Sequence, residues 1–416
     1  MNSNQSSRRR FLKNGTALAG LAVGAIRSAS GQRVASEQPE APPNQPPSPL
    51  DTAAYGGRSR FENSVRTGLR TPLQDVAGII TPAALHYVVT HRAPTPDIDP
   101  RQHRLLIHGL VDHPLIFTLD ELKRLPSVSR VHFLMCAGNS YLSQGERQKS
   151  ETVQETHGKT SCSEWTGVLL SVLLKEAGVQ KAARWLVAEG AESKKHTVSI
   201  PLEKAMDDVL VAYAQNGEAV RPDQGYPLRF LVPGFEGVRN VKWLRRIKVV
   251  DQPYMTKWET TTYGNLKKDG KARWFQMEFE PNSVITRPAG GQQLPGRGFY
   301  EITGLAWSGG GAVRRVEVST DGGRSWKDAQ IQEPVYRKAH TRFRLAWNWN
   351  GEEAVLQSRC TDDQGDVQPT LAELNEIWGV KSDYWQATAN RIQHLNAIQP
   401  WKITREGSVH NALWPS

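Results

Sequence analysis

Cys136 stands in Met135-Cys136-Ala137-Gly138-Asn139-Ser140, directly after the apolar run Val128 to Leu134. A thiol at the end of a buried strand can point its sulfur into a cleft, and the small neighbours Ala137 and Gly138 let a bulky group approach it. A thiolate so placed is a nucleophile or a soft metal ligand. The alternative is an inert packed thiol, the commoner fate of an isolated cysteine. Of the other two cysteines, Cys162 lies in Ser161-Cys162-Ser163-Glu164-Trp165 and Cys360 ends a strand-like run, so both read as packed thiols. A disulfide between them stays open in an oxidising compartment. The chain has no C-x-x-C-H and so no means of attaching a c-type haem to itself.

Several elements must bring Cys136 into place. Thr118-Leu119-Asp120-Glu121 is a capping-box pattern that predicts a short helix through Leu125, stopped by Pro126. Val128 to Leu134 is predicted as a buried strand, and Leu85 to Thr90 as another, with ordered structure starting near Thr81. A second helix is expected from Val168 to Ala177, with Leu169, Leu170, Val172, Leu173 and Leu174 on its apolar face and Gly178 as its C-cap. Alternating strands and helices to about Val250 suggest a mixed α/β domain. After about Pro281, the strand-like segments Phe299 to Trp307, Val313 to Ser319, Phe343 to Trp349 and Val355 to Thr361 are separated by Ser308-Gly309-Gly310-Gly311 and Asp321-Gly322-Gly323 turns. With no convincing helix among them, they fit an immunoglobulin-like β-sandwich. The fold class is therefore α+β, with one domain over 81–280, a second over 281–400 and a tail over 401–416.

The first 30 residues read as an address. Ser7 to Lys13 is S-R-R-R-F-L-K, followed by an apolar small-residue stretch from Thr16 to Ile26 and then Arg27-Ser28-Ala29-Ser30-Gly31. This order resembles a twin-arginine export signal, which predicts a periplasmic location and a protein carried across folded with its cofactor in place. Residues 31–80 hold the proline-dense run Glu37 to Leu50, an extended tether. Cleavage near Ser30 removes five basic residues and no acid, so the formal charge falls from +10 to +5. That balance does not demand nucleic acid and suits an acidic protein partner or an anionic substrate equally. No run of about 20 apolar residues is long enough to span a bilayer.

Cys136-Ala137-Gly138-Asn139, then Asp208-Val209-Leu210-Val211-Ala212-Tyr213-Ala214-Gln215-Asn216-Gly217, then the run Gln224 to Leu244, which contains Val232-Pro233-Gly234-Phe235-Glu236-Gly237 and Val241-Lys242-Trp243, resemble in that order the sulfite oxidase family of molybdenum enzymes. The likeness runs from about Val88 to Trp385, and the sandwich shares it through Gly304 to Gly311 and Val316 to Gly323. It implies a molybdopterin-binding domain of sulfite oxidase type followed by a sandwich that forms a homodimer. By the same resemblance Cys136 is the thiolate ligand to molybdenum, and molybdopterin supplies the remaining sulfur ligands. Arg229, Arg239 and Lys242 match basic residues at the pterin and its phosphate, which cations suit; read alone, the basic run Arg239 to Lys248 would be a solvated face. Asn139 belongs to the cysteine motif, His91 matches a histidine ahead of the first core strands, and Tyr263 matches a tyrosine beside the metal's oxo groups, placed to donate a hydrogen bond or relay a proton.

Three positions depart from the sulfite enzymes, which carry arginine there: Val89, Tyr141 and Lys381. Together with Thr160-Ser161-Cys162-Ser163-Glu164-Trp165-Thr166-Gly167, this pattern is similar to the SoxC branch, the molybdenum subunits of bacterial sulfane dehydrogenases. That branch oxidises sulfane sulfur on a carrier protein and passes electrons to a c-type cytochrome subunit, with a heterotetramer as one assembly it allows. Two readings compete with it: a sulfite dehydrogenase acting on free sulfite, and an exported binding protein that has kept the fold and lost the cofactor.

Overall fold

In the computed structural model, Thr118 and Glu121 close the expected capping box: Glu121 N donates to Thr118 Oγ1 at 3.2 Å and Thr118 N donates to Glu121 Oε2 at 2.8 Å. The helix it starts, α1 (Leu119–Arg124), ends before Pro126 as predicted. The structure describes residues 62, 64–66, 68–90, 94–140, 152–266, 270–273, 277–381, 384–387 and 394–413. The stretch read as an export signal, the proline-dense run, His91 and Tyr141 lie outside them.

Among the described residues the first domain holds ten strands: β1 (Leu105–Gly109), β2 (Leu115–Phe117), β3 (Val128–Met135), β4 (Thr160–Leu169), β5 (Trp185–Gly190), β6 (Thr197–Pro201), β7 (Leu210–Gln215), β8 (Glu218–Ala219), β9 (Arg229–Leu231) and β10 (Leu244–Val250). They form two sheets, one ordered β2-β1-β10-β5-β6 and one ordered β3-β4-β7-β8 with β9 on β7. Only β1 and β10 run parallel among these pairs. Helices α2 (Val153–His157), α3 (Leu170–Ala177) and α4 (Leu202–Asp207) complete the domain. Leu170, Leu173 and Leu174 of α3 join Ile107, Leu186, Ile247 and Phe230 in one buried core.

Both faces of strand β3 are buried at its C-terminal end. Side chains alternate along a strand, so Phe133 and Met135 enter a core shared with the sandwich. Leu134 and Cys136 join the opposite cluster with Tyr87, Trp165 and Leu231.

A short antiparallel pair, β11 (Asn265–Leu266) and β12 (Ala272–Arg273), precedes the second domain. The sandwich has one sheet of β13 (Asn282–Arg287), β14 (Gly298–Trp307), β17 (Gln330–Ile331) and β18 (Thr341–Trp349), and a second of β15 (Val313–Ser319), β16 (Lys327–Asp328), β19 (Ala354–Asp362), β20 (Trp401–Ile403) and β21 (Val409–Asn411). Val284, Ile302, Trp307 and Phe343 of the first sheet meet Val316, Leu356, Cys360 and Trp401 of the second in one core. The segment entering β18 reaches back to β3: Phe133 N donates to Lys338 O at 3.0 Å, and the His340 ring stacks on Phe133 with centroids 6.1 Å apart.

Five expectations are corrected. The stretch from Val168 splits, with Val168 and Leu169 ending β4 and α3 starting at Leu170; the register pairs Val168–Val211 and Leu169–Leu210 hold those two residues in the ladder, and β-branching suits Val168 to it. Gly178 is the C-cap at φ 69°, where glycine is favoured. Leu85 to Thr90 is no strand: Tyr87 N bonds the Ser161 hydroxyl instead of a neighbouring strand. Packing starts ahead of Thr81, with Thr71 and Leu73 buried. The sandwich region does contain a helix, α5 (Leu371–Trp378), started by a Thr370–Glu373 capping box and ended at Gly379. Residues 401–413 are no tail, because β20 extends the sheet through β19 and β21 pairs with β20. All three cysteines are buried free thiols, which closes the question of a Cys162–Cys360 disulfide. Among the described residues, no helix is long and apolar enough to cross a membrane.

Candidate cofactor site

The end of β3 opens into a cleft, and Cys136, Arg229, Lys242 and Tyr263 all line it. Four separate elements supply them. Cys136 follows β3, Arg229 opens β9, Lys242 precedes β10, and Tyr263 caps a single π turn, Trp258–Thr262. A 3-10 turn, Gly237–Arg239, seats the cleft floor against β3: a Cβ on Gly237 would lie 2.6 Å from Met135 O, so only glycine fits there.

The Cys136 peptide is fixed by a bond from its N–H to Lys159 O at 2.9 Å and by Asn139 N donating to Cys136 O at 2.8 Å. Burial pushes the thiol pKa up, while Lys159 and the Gly138 N–H pull it partly back. Asn139 turns away from the cleft, donating to Met135 Sδ at 3.3 Å and accepting from Lys159 N at 2.9 Å, so it shapes the loop.

Arg229 is only 3% exposed, and burial lowers its pKa to about 10. One guanidinium nitrogen donates to Gln224 O and Gln224 Oε1 at 2.7 and 2.9 Å, while Nε has no partner. Lys242 Nζ, half-buried, donates to Val89 O at 3.0 Å and to Asp223 O. Burial, then the Arg229 charge, lowers its pKa to about 7, with Asp223 opposing. Tyr263 is held protonated, its pKa pushed well above the usual range by burial and by Cys136.

Arg239 is elsewhere. Its guanidinium pairs with Glu259 of the π turn, both residues being almost wholly buried, and Glu259 also accepts from Ser199 N at 2.7 Å and Thr256 N at 2.9 Å. Arg239 thus pins the turn that presents Tyr263 and does not line the cleft.

The sequence reading missed Tyr87, Glu192, His196 and Gln224, which also line it. Glu192 Oε1 accepts from His196 N, and Oε2, buried, has no partner. Gln224 sat inside a quoted motif with no role assigned. Glu192 and His196 carry no local signal, being two polar residues in the loop between β5 and β6. Val89 lines the cleft as well, whereas Lys381 is exposed beyond α5 and does not.

Residues 92–258 match the oxidoreductase molybdopterin binding domain and residues 273–393 the Mo-co oxidoreductase dimerisation domain. The sulfane dehydrogenase SoxCD from Paracoccus pantotrophus contains a chain 37% identical in sequence, superposing with a TM-score of 0.80 over 92% of this chain and 97% of that one. The chain belongs to the sulfite oxidase family of molybdopterin oxidoreductases. Within the family it is 32% identical to mitochondrial sulfite oxidase from Rattus norvegicus over 336 residues, covering 74% of this chain and 60% of that protein. It is 34% identical to the NADH nitrate reductase of Solanum lycopersicum over 359 residues, or 74% of this chain and 38% of that enzyme. The chain thus spans less than two thirds of these curated relatives.

Molybdenum with molybdopterin is the family's cofactor, and the cleft suits it. Among the described residues no group of three or more His, Cys, Asp or Glu side chains could hold a metal ion, so the one cysteine in the cleft matches a metal already carried by sulfur ligands. The unsatisfied Arg229 Nε is a donor for an anion, and the unsatisfied Glu192 Oε2 is an acceptor for ring N–H groups.

Proposed function

We propose that this chain is the molybdenum subunit of a periplasmic sulfane dehydrogenase. It oxidises sulfane sulfur bound to a carrier protein and hands the electrons to a c-type cytochrome subunit, and its sandwich makes a homodimer. The observation that carries this reading is the near full-length likeness to the SoxCD chain, supported by Val89 in the cleft where sulfite enzymes carry arginine.

When bound, the cofactor supplies two-electron transfer coupled to oxygen transfer. Cys136 would anchor the metal as thiolate. Arg229 and Lys242 would hold the cofactor's phosphate and Glu192 would orient the pterin, while Gln224 seats the Arg229 guanidinium. Tyr263, kept protonated, would offer its O–H in the cleft as a hydrogen-bond donor to the reacting group. Val89 leaves the entrance without the charge that a free dianion needs to leave water; each charge-assisted hydrogen bond missing there costs about 1.5–3 kcal/mol. A sulfane on a carrier brings less charge to the reacting atom and gains affinity from protein surface around the cleft.

The test is a side-by-side assay of free sulfite, thiosulfate, nitrate and a persulfidated carrier protein, using the holoenzyme with its cytochrome. The highest kcat/KM is expected with the carrier. A higher value for free sulfite would return the reading to sulfite dehydrogenase. Replacing Val89 and Tyr141 together by arginine should move preference toward sulfite.

A further inference from the structure

We propose that the sandwich domain sets the orientation of the Cys136 sulfur through His340 and Thr160, which makes His340 a positioning residue of the molybdenum site. The inference rests on the proposed role of Cys136 as the metal's protein ligand.

His340 stands one residue before β18, with its ring buried between Phe133 and Trp307, whose centroids lie 6.1 and 5.3 Å away. Its Nε2 lies 3.0 Å from Thr160 Oγ1, and the same hydroxyl donates to Leu134 O at 3.2 Å. A carbonyl only accepts and a hydroxyl has one proton, so Thr160 gives its proton to Leu134 and takes one from His340. The imidazole is therefore the Nε2–H tautomer. Its own backbone N–H is 3.5 Å from Cys162 Sγ, which holds His340 against β4.

This chain of bonds ends at the metal ligand. Thr160 is the register partner of Met135, and Lys159 O takes the Cys136 N–H at 2.9 Å. Two successive residues of the β4 edge thus grip the β3 backbone on both sides of Met135, at the Leu134 carbonyl and at the Cys136 N–H. Tilting either peptide plane turns the Cα–Cβ bond of Cys136 and moves its sulfur in the cleft. Burial holds the His340 pKa down to about 3, so the ring acts by orientation and carries no charge at any physiological pH.

The test uses holoenzyme from a molybdenum-replete host, as wild type and as Thr160→Val, His340→Ala, His340→Gln and Cys136→Ser. Molybdenum content, thermal midpoint, the thiolate-to-molybdenum absorption band and the electron paramagnetic resonance of the one-electron-reduced metal are read with turnover. Thr160→Val keeps the side-chain volume and is expected to bind molybdenum, shift the band and resonance, and lower kcat about 10- to 100-fold with little change in KM. His340→Gln, whose amide can still donate to Thr160, should return the signals toward wild type relative to His340→Ala. If His340→Ala does not accumulate, Thr160→Val decides. Band, resonance and kcat unchanged in Thr160→Val overturn the positioning role alone. Wild-type protein without molybdenum, or a band that persists in Cys136→Ser, overturns the ligand assignment and this inference with it.

Discussion

Lys338 Nζ lies 2.7 Å from Asp208 Oδ2, so an ion pair joins the sandwich to the first domain. Asp208 is shared, because Lys204 Nζ lies 2.7 Å from its other oxygen and donates to Pro233 O at 2.8 Å. Burial lowers the Lys204 pKa to about 8 despite that carboxylate. Asp208→Asn leaves two ammonium groups facing each other in a mostly buried site and should destabilise the protein by about 3 kcal/mol. A drop in the thermal midpoint is the measurement; adding Lys338→Met to Asp208→Asn should recover part of it.

Arg239 and Glu259 make a second test, because the sequence reading gave Arg239 to the cofactor and the structure gives it to Glu259. Removing one partner of a buried pair costs about 3–5 kcal/mol, whereas removing both costs far less. Arg239→Met should lose stability and cofactor loading together, and Arg239→Met with Glu259→Gln should recover both. A double variant that regains stability but still fails to load would make Arg239 a cofactor contact after all.

The Lys242 pKa is lowered in the cofactor-free protein to about 7, against an ordinary value of 10.5. Between those values the unfolded chain binds more protons than the folded one, so this lysine's contribution raises stability as pH climbs from 7 toward 10. Below pH 7 the folded site carries the full cost of a buried ammonium. The difference in thermal midpoint between wild type and Lys242→Met, followed against pH in cofactor-free protein, should show this slope. Loaded protein should lack it, because a bound phosphate keeps Lys242 charged.

Cys136→Ser should fold with an unchanged thermal midpoint in the cofactor-free state, since the two side chains differ little in size. It should turn over no substrate, because a serine oxygen is a harder and far less acidic donor than a thiol. Turnover at the wild-type rate would remove Cys136 from the site.

The sequence was most informative where a signal is local. The Thr118–Glu121 box, the Gly178 cap and the four sandwich strands all needed only neighbouring residues to be recognised. The same kind of signal was present at Thr370–Glu373 and Gly379 and went unused, because the surrounding strands suggested a helix-free region. The cleft was only half legible. Cys136, Arg229, Lys242 and Tyr263 stand in recognisable runs, whereas Glu192 and His196 reach the cleft because β5 and β6 place their loop beside β10. Arg239 stood in a motif, but its partner Glu259 is set by the π turn, which leaves no pattern in the residue types.

The two buried faces at the end of β3 restrict how this strand can change length. Loss of one residue between Val128 and Leu134 would exchange the alternating sets, sending Met135 into the cleft and the cysteine into the interdomain core. Loss of two would restore the facing. Length variants of this strand that still load the metal should therefore come only in even steps, and a library of deletions here would show a two-residue period in retained molybdenum.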